Sequence, residues 1–87
     1  DTHLEGSTVI GKGCEIGPNV RLRNATIGER TYIHHSVVFD SSVEDGVKIG
    51  PYASLRNGAN IGPEVKLGNF VEIKNARLER KVSVAHL

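Results

Sequence analysis

Arg56 and Lys74 occupy matching places in the chain, each directly after a large aliphatic residue and before an asparagine, in Leu55-Arg56-Asn57 and Ile73-Lys74-Asn75. Two cations held at one spot repel each other unless solvent separates them or an anion bridges them. The pair therefore reads equally as two splayed surface side chains and as an anion site. A phosphate monoester is the natural ligand for such a site, because arginine offers a planar fork and lysine a point charge. Asn57 and Asn75 form a second matched pair, of the type that supports a corner turn. His86 is the only histidine near the end of the chain. As a neutral imidazole it can take a proton from an amine nucleophile, and it reads also as a structural or exposed histidine. His34 and His35 have no third ligand at metal-binding spacing, and with His3 they read as surface residues, so no metal site is expected. Cys14 reads as a small buried group and not as a nucleophile. The chain carries no glycine-rich phosphate loop leading into a helix, no serine-hydrolase elbow and no aromatic-basic stripe for nucleic acid.

What must position these residues is a repeat. Large aliphatics recur every six residues at Leu4, Ile10, Ile16 and Leu22, and again at Val43, Ile49, Leu55, Ile61, Leu67 and Ile73. Five-residue steps occur from Leu22 to Ile27 and from Ile73 to Leu78, and the stretch from Ile33 to Val43 is short. Four residues after each aliphatic comes a small or β-branched residue, among them Thr8, Cys14, Val20, Thr26, Thr31, Val37, Val47, Ala53, Ala59, Val65 and Val71. Glycine often follows the aliphatic directly, as at Gly11, Gly28, Gly50 and Gly62. That position calls for unusual backbone angles or a close backbone approach.

A period of six fits neither an α-helix nor a free strand, but it fits short strands that each end in a corner. Three such units close a triangle of eighteen residues, and successive triangles stack as parallel strands ~4.8 Å apart with both apolar series pointing inward. The expected fold is all-β, a parallel β-helix of nearly five triangular coils, with Arg56 directly above Lys74. A helical bundle is excluded by glycine and β-branched residues every few positions, and a sandwich would need longer alternating strands.

Composition agrees. The 87 residues include no Trp, no Met, only four aromatics and ten glycines, so the interior must be layered from small aliphatic groups. The formal net charge is +1, which leaves no broad field to attract nucleic acid or an anionic membrane. One cysteine forms no internal disulfide, and no apolar run is long enough for a signal peptide or membrane span. A reducing cytoplasm is the expected compartment. The chain starts inside a repeat and stops at His86-Leu87 without a polar cap, so residues 1–87 read as part of a domain that is incomplete at both ends.

The stretch from Ile49 to Leu87 carries more than a generic repeat. Leu55-Arg56-x-Gly58-Ala59, Gly68-Asn69-Phe70-Val71-Glu72-x-Lys74 and the closing His86-Leu87 stand in an order and spacing that closely resembles one hexapeptide-repeat family. These are the bifunctional N-acetylglucosamine-1-phosphate uridylyltransferases/glucosamine-1-phosphate N-acetyltransferases. The resemblance implies a left-handed coil, a choice general sterics would not make, since parallel crossovers favour the right hand. It implies further a homotrimer with sites between subunits, and transfer of acetyl from acetyl-CoA, as co-substrate, to the amino group of glucosamine-1-phosphate. Carried over by motif, Arg56 and Lys74 bind the sugar phosphate and His86 is the general base. Mg2+ would serve only a uridylyltransferase domain preceding Asp1, and most acetyl-CoA contacts would lie on coils beyond Leu87, so this piece alone is expected to be inactive. The sequence departs from the family pattern at Asn57, where proline is usual, at Glu79-Arg80, which replaces a glycine-containing turn, and at its end, just before a usual Thr-Tyr. The contrasting expectations are a non-catalytic trimerising scaffold and another hexapeptide enzyme, such as a zinc-dependent anhydrase or an acyltransferase for a different amino sugar.

Overall fold

The computed structural model describes residues 1–84 and forms five coils. The first holds β1 (Thr2–Glu5), β2 (Val9–Ile10) and β3 (Glu15–Ile16); the second β4 (Val20–Arg23), β5 (Thr26–Ile27) and β6 (Tyr32–Ile33). The third holds β7 (Ser36–Phe39), β8 (Ser42–Val43) and β9 (Lys48–Ile49), and the fourth β10 (Ala53–Arg56), β11 (Asn60–Ile61) and β12 (Lys66–Leu67). The fifth is β13 (Val71–Lys74), β14 (Arg77–Leu78) and β15 (Ser83–Val84). Corresponding strands of successive coils pair in parallel, giving three sheets in the orders β1-β4-β7-β10-β13, β2-β5-β8-β11-β14 and β3-β6-β9-β12-β15. Among the described residues every element is a strand, and no helix is long and apolar enough to cross a membrane.

The expected parallel β-helix is therefore present. The aliphatic column runs through the interior as Leu22, Ile27, Ile33, Val38, Val43, Ile49, Leu55, Ile61 and Leu67, all almost fully buried. Burying each such side chain stabilises the fold by roughly 1.5–3 kcal/mol. Leu4 is 55% exposed because only one neighbouring coil covers it.

Where the coil shortens, the structure corrects the expected inward series. Thr2 pairs with Val20 and Arg56 with Lys74, eighteen residues apart, but Val20 pairs with Ser36, only sixteen on. Removing one residue from a corner brings the next inward position one place earlier, and alternation along the strand then reverses which neighbour faces the core. Val38 consequently fills the interior between Ile33 and Val43. Val37 and Thr26, expected inside, face outward, while Ala25, Ser36 and Ser41 are the buried residues.

The buried hydroxyls are satisfied. Ser36 Oγ donates to the His34 carbonyl at 2.9 Å and accepts from Ala53 N–H at 3.1 Å. Thr31 Oγ1 donates to the Glu44 carbonyl at 2.9 Å. No buried side-chain nitrogen or oxygen among the described residues lacks a partner, the condition for placing polar groups in so thin a core. Cys14 is half-buried against the core, its Sγ donating to the Gly28 carbonyl at 2.9 Å. Gly28 also shows why the residue after the aliphatic is often glycine: a Cβ there would stand 2.6 Å from the Glu44 carbonyl carbon of the next coil.

The corners form columns as well. Asn24, Asp40, Asn57 and Asn75 share one corner with φ between 48° and 57°, the left-handed region that asparagine and aspartate tolerate best. Asn19, His35, Tyr52 and Phe70 share another, with φ between 47° and 64°.

Candidate functional site

The four-residue strands give the first sheet a longer outer face than the other two. Alternation along β10 sends Ala53 and Leu55 inward and Ser54 and Arg56 outward, and along β13 it sends Val71 inward and Glu72 and Lys74 outward. Because β10 and β13 pair in register, Arg56 stands directly beside Lys74 and Ser54 beside Glu72. The two cations singled out from the sequence thus share one rung of the exposed face. Asn57 and Asn75, at the corner that follows, have φ of 57° and 51° and act as turn residues.

The sequence reasoning missed Glu72. Its carboxylate forms an ion pair with the Arg56 guanidinium, diagonally across the two strands. The repulsion expected between Arg56 and Lys74 is relieved by a carboxylate on the same face. Period-two alternation in Val71-Glu72-Ile73-Lys74 was the signal that could have found it. With both partners about half exposed, 48% and 53%, the pair adds less than about 1 kcal/mol to stability. Its consequence is orientation: one edge of the guanidinium is occupied, which leaves the rest of the fork and the Lys74 ammonium facing solvent.

Farther along the same face the Arg23 guanidinium lies 4.1 Å from the Phe39 ring centroid, and Arg21 donates to both Glu5 carboxylate oxygens at 3.1 and 3.3 Å. An apolar cleft of about 390 Å³ runs along the opposite edge, lined by His3, Val20, Arg21, His35, Val37 and Tyr52, and includes neither Arg56 nor Lys74. His34 and His35 are half-buried members of a ring ladder, not free surface groups. Tyr32 meets His34 at 4.8 Å and Tyr52 stacks on Phe70 at 5.3 Å, while Asn19 Nδ2 lies 3.2 Å from His35 Nδ1. Among the described residues no three His, Cys, Asp or Glu side chains gather as metal ligands. His86 lies outside the described residues.

A face of this kind can hold a phosphate by charge-assisted hydrogen bonds from an arginine and a lysine on one rung, with a carboxylate fixing the arginine. Comparison with known proteins matches residues 1–85 to the family model described as the GMPPB C-terminal domain. The chain is 51% identical over 86 residues to the bifunctional protein GlmU of Nostoc sp. (strain PCC 7120), covering 99% of this chain and 19% of that protein. It is 47% identical over 87 residues to bifunctional GlmU of Carboxydothermus hydrogenoformans, covering 100% of this chain and 20% of that protein. With bifunctional GlmU of Trichormus variabilis the identity is 45% over 86 residues. The chain spans about one fifth of the length of these curated relatives.

Proposed function

The chain belongs to the GMPPB C-terminal domain family, and on that premise we propose that it is part of the left-handed β-helical acetyltransferase domain of a bifunctional enzyme of UDP-N-acetylglucosamine synthesis. The likeness to bifunctional GlmU proteins over essentially the whole chain supports this reading. The observation that carries the site is the shared outward rung of Arg56 and Lys74.

In this mechanism the two cations anchor the phosphate of glucosamine-1-phosphate and fix the distance of its amino group from the thioester. Acetyl-CoA supplies the activated acetyl group. His86 removes a proton from the amine as nitrogen attacks the thioester carbonyl; the C–N bond forms, the C–S bond breaks, and the departing thiolate takes up the proton. Binding energy spent on the phosphate, remote from the reacting atoms, is thereby used for positioning. Mg2+ belongs to the uridylyltransferase activity of the longer protein and to none of the described residues. The enzyme works in the cytoplasm as a homotrimer. The exposed rings of Tyr52 and Phe70, 55% and 63% accessible and stacked on one corner, favour an assembled state, and they equally favour a trimerising scaffold without chemistry.

Arg56→Ala and Lys74→Ala, each made in the full-length protein, separate these readings. Each removes charge-assisted hydrogen bonds worth about 1.5–3 kcal/mol, so the KM for glucosamine-1-phosphate should rise roughly 10- to 150-fold with the KM for acetyl-CoA unchanged. An unaltered KM for the sugar phosphate in both variants rules the site out.

A further inference from the structure

The third sheet carries a second pair of stacked cations. Lys48 and Lys66 are direct partners in register on β9 and β12, both exposed, with their neighbours Ile49 and Leu67 buried. Their backbones are one parallel-strand spacing apart, ~4.8 Å. Arg56 has Glu72 to offset its charge, but among the described residues no carboxylate comes within salt-bridge distance of Lys48 or Lys66. Glu64, on the adjoining corner, is already held by Arg80 at 3.4 Å and Lys81 at 3.8 Å. Two adjacent unneutralised ammonium groups on a rigid ladder destabilise the fold slightly, and an anion placed between them reverses the sign.

The groups above and below them define what kind of anion fits. Tyr32 is the register partner of Lys48 on one side, and Ser83 that of Lys66 on the other. The outward column of this sheet therefore runs Glu15, Tyr32, Lys48, Lys66, Ser83: a carboxylate, then an aromatic ring, two cations and a hydroxyl in line, with Tyr32 separating Glu15 from Lys48. The Tyr32 ring is braced edge-on by His34, at 4.8 Å and 76°, so it stands as a fixed surface. Beside the lower part of the column lies an open cleft of about 450 Å³ lined by Gly46, Glu64, Lys66, Lys81 and Ser83.

We propose that this column is a binding site for a phosphate ester carried on a planar aromatic ring system, the class whose simplest biological member is a nucleoside monophosphate. The ring packs on Tyr32, and the phosphate lies between the Lys48 and Lys66 ammonium groups. The site faces away from the Arg56–Lys74 rung and is independent of the acetyltransferase reading.

Residue-resolved NMR of the full-length protein titrated with adenosine 5′-monophosphate, inorganic phosphate and ribose 5-phosphate tests it. The nucleotide should move the amide signals of Tyr32, Lys48 and Lys66 and bind at least about 5-fold more tightly than either phosphate without a base. Lys48→Gln with Lys66→Gln should weaken it by about 10-fold or more, and Arg56→Ala should leave it unchanged. Equal binding of nucleotide and inorganic phosphate, shifts confined to the Arg56 and Lys74 strands, or full affinity in the double glutamine variant would each overturn the proposal.

Discussion

His86→Ala in the full-length protein is expected to lower kcat for acetyl transfer by about 10²- to 10⁴-fold and to leave the KM for glucosamine-1-phosphate nearly unchanged. The split follows from the division of labour proposed for the site. In that proposal Arg56 and Lys74 would grip the phosphate equally in the ground state and the transition state, and so would govern KM. Proton removal from the amine is realised only as nitrogen attacks, so loss of the base falls on kcat. Steady-state kinetics with the sugar phosphate varied at saturating acetyl-CoA measure both constants. A variant with normal kcat would assign His86 to structure.

Gly50→Ala is expected to cost about 3 kcal/mol or more of unfolding free energy. Two penalties coincide there. Gly50 has φ of 107°, a conformation strained for any residue with a Cβ, and an added Cβ would collide with the His34 carbonyl oxygen of the preceding coil. That oxygen cannot retreat freely, because it also accepts the Ser36 hydroxyl at 2.9 Å. Gly58→Ala provides the comparison: φ is 80°, but nothing lies within 4 Å of its would-be Cβ, so only the backbone penalty of about 1 kcal/mol applies. Urea unfolding followed by circular dichroism compares the two; equal losses would show that coil-to-coil approach at Gly50 is not limiting.

The coil was legible because its signal is redundant. Each six-residue step places an aliphatic residue in one column, and a single exception does not hide the others. What was misread lies where the step shortens. Val37 and Thr26 satisfied the composition of the inward series, but sixteen-residue spacing between β4 and β7 sends Ser36 inward, and a serine is accepted there only because the His34 carbonyl and Ala53 N–H saturate it. Such a hydrogen bond depends on the neighbouring coil and has no local sequence signature.

The same distinction holds for the site. The Arg56–Lys74 rung follows from eighteen-residue spacing and is found in register. Glu72 was overlooked because the spacing argument compared equivalent positions and ignored diagonals. Lys48 and Lys66 are also eighteen apart, each before its aliphatic, and were visible by the rule that found Arg56 and Lys74. The Asn57 departure from the family's usual proline has a local explanation. Asn57 and Gly58 both have positive φ, 57° and 80°, and proline is fixed near −65°. The corner is thus closed by an Asn-Gly pair, which favours these angles.

The most direct test of the central claim is acetyl-CoA-dependent acetylation by the full-length protein, with glucosamine-1-phosphate and unphosphorylated glucosamine compared as acceptors. An acetyltransferase whose phosphate is held by Arg56 and Lys74 acetylates glucosamine-1-phosphate and uses glucosamine with a kcat/KM lower by about 100-fold or more. A folded, assembled protein that acetylates neither acceptor, or both equally well, contradicts it.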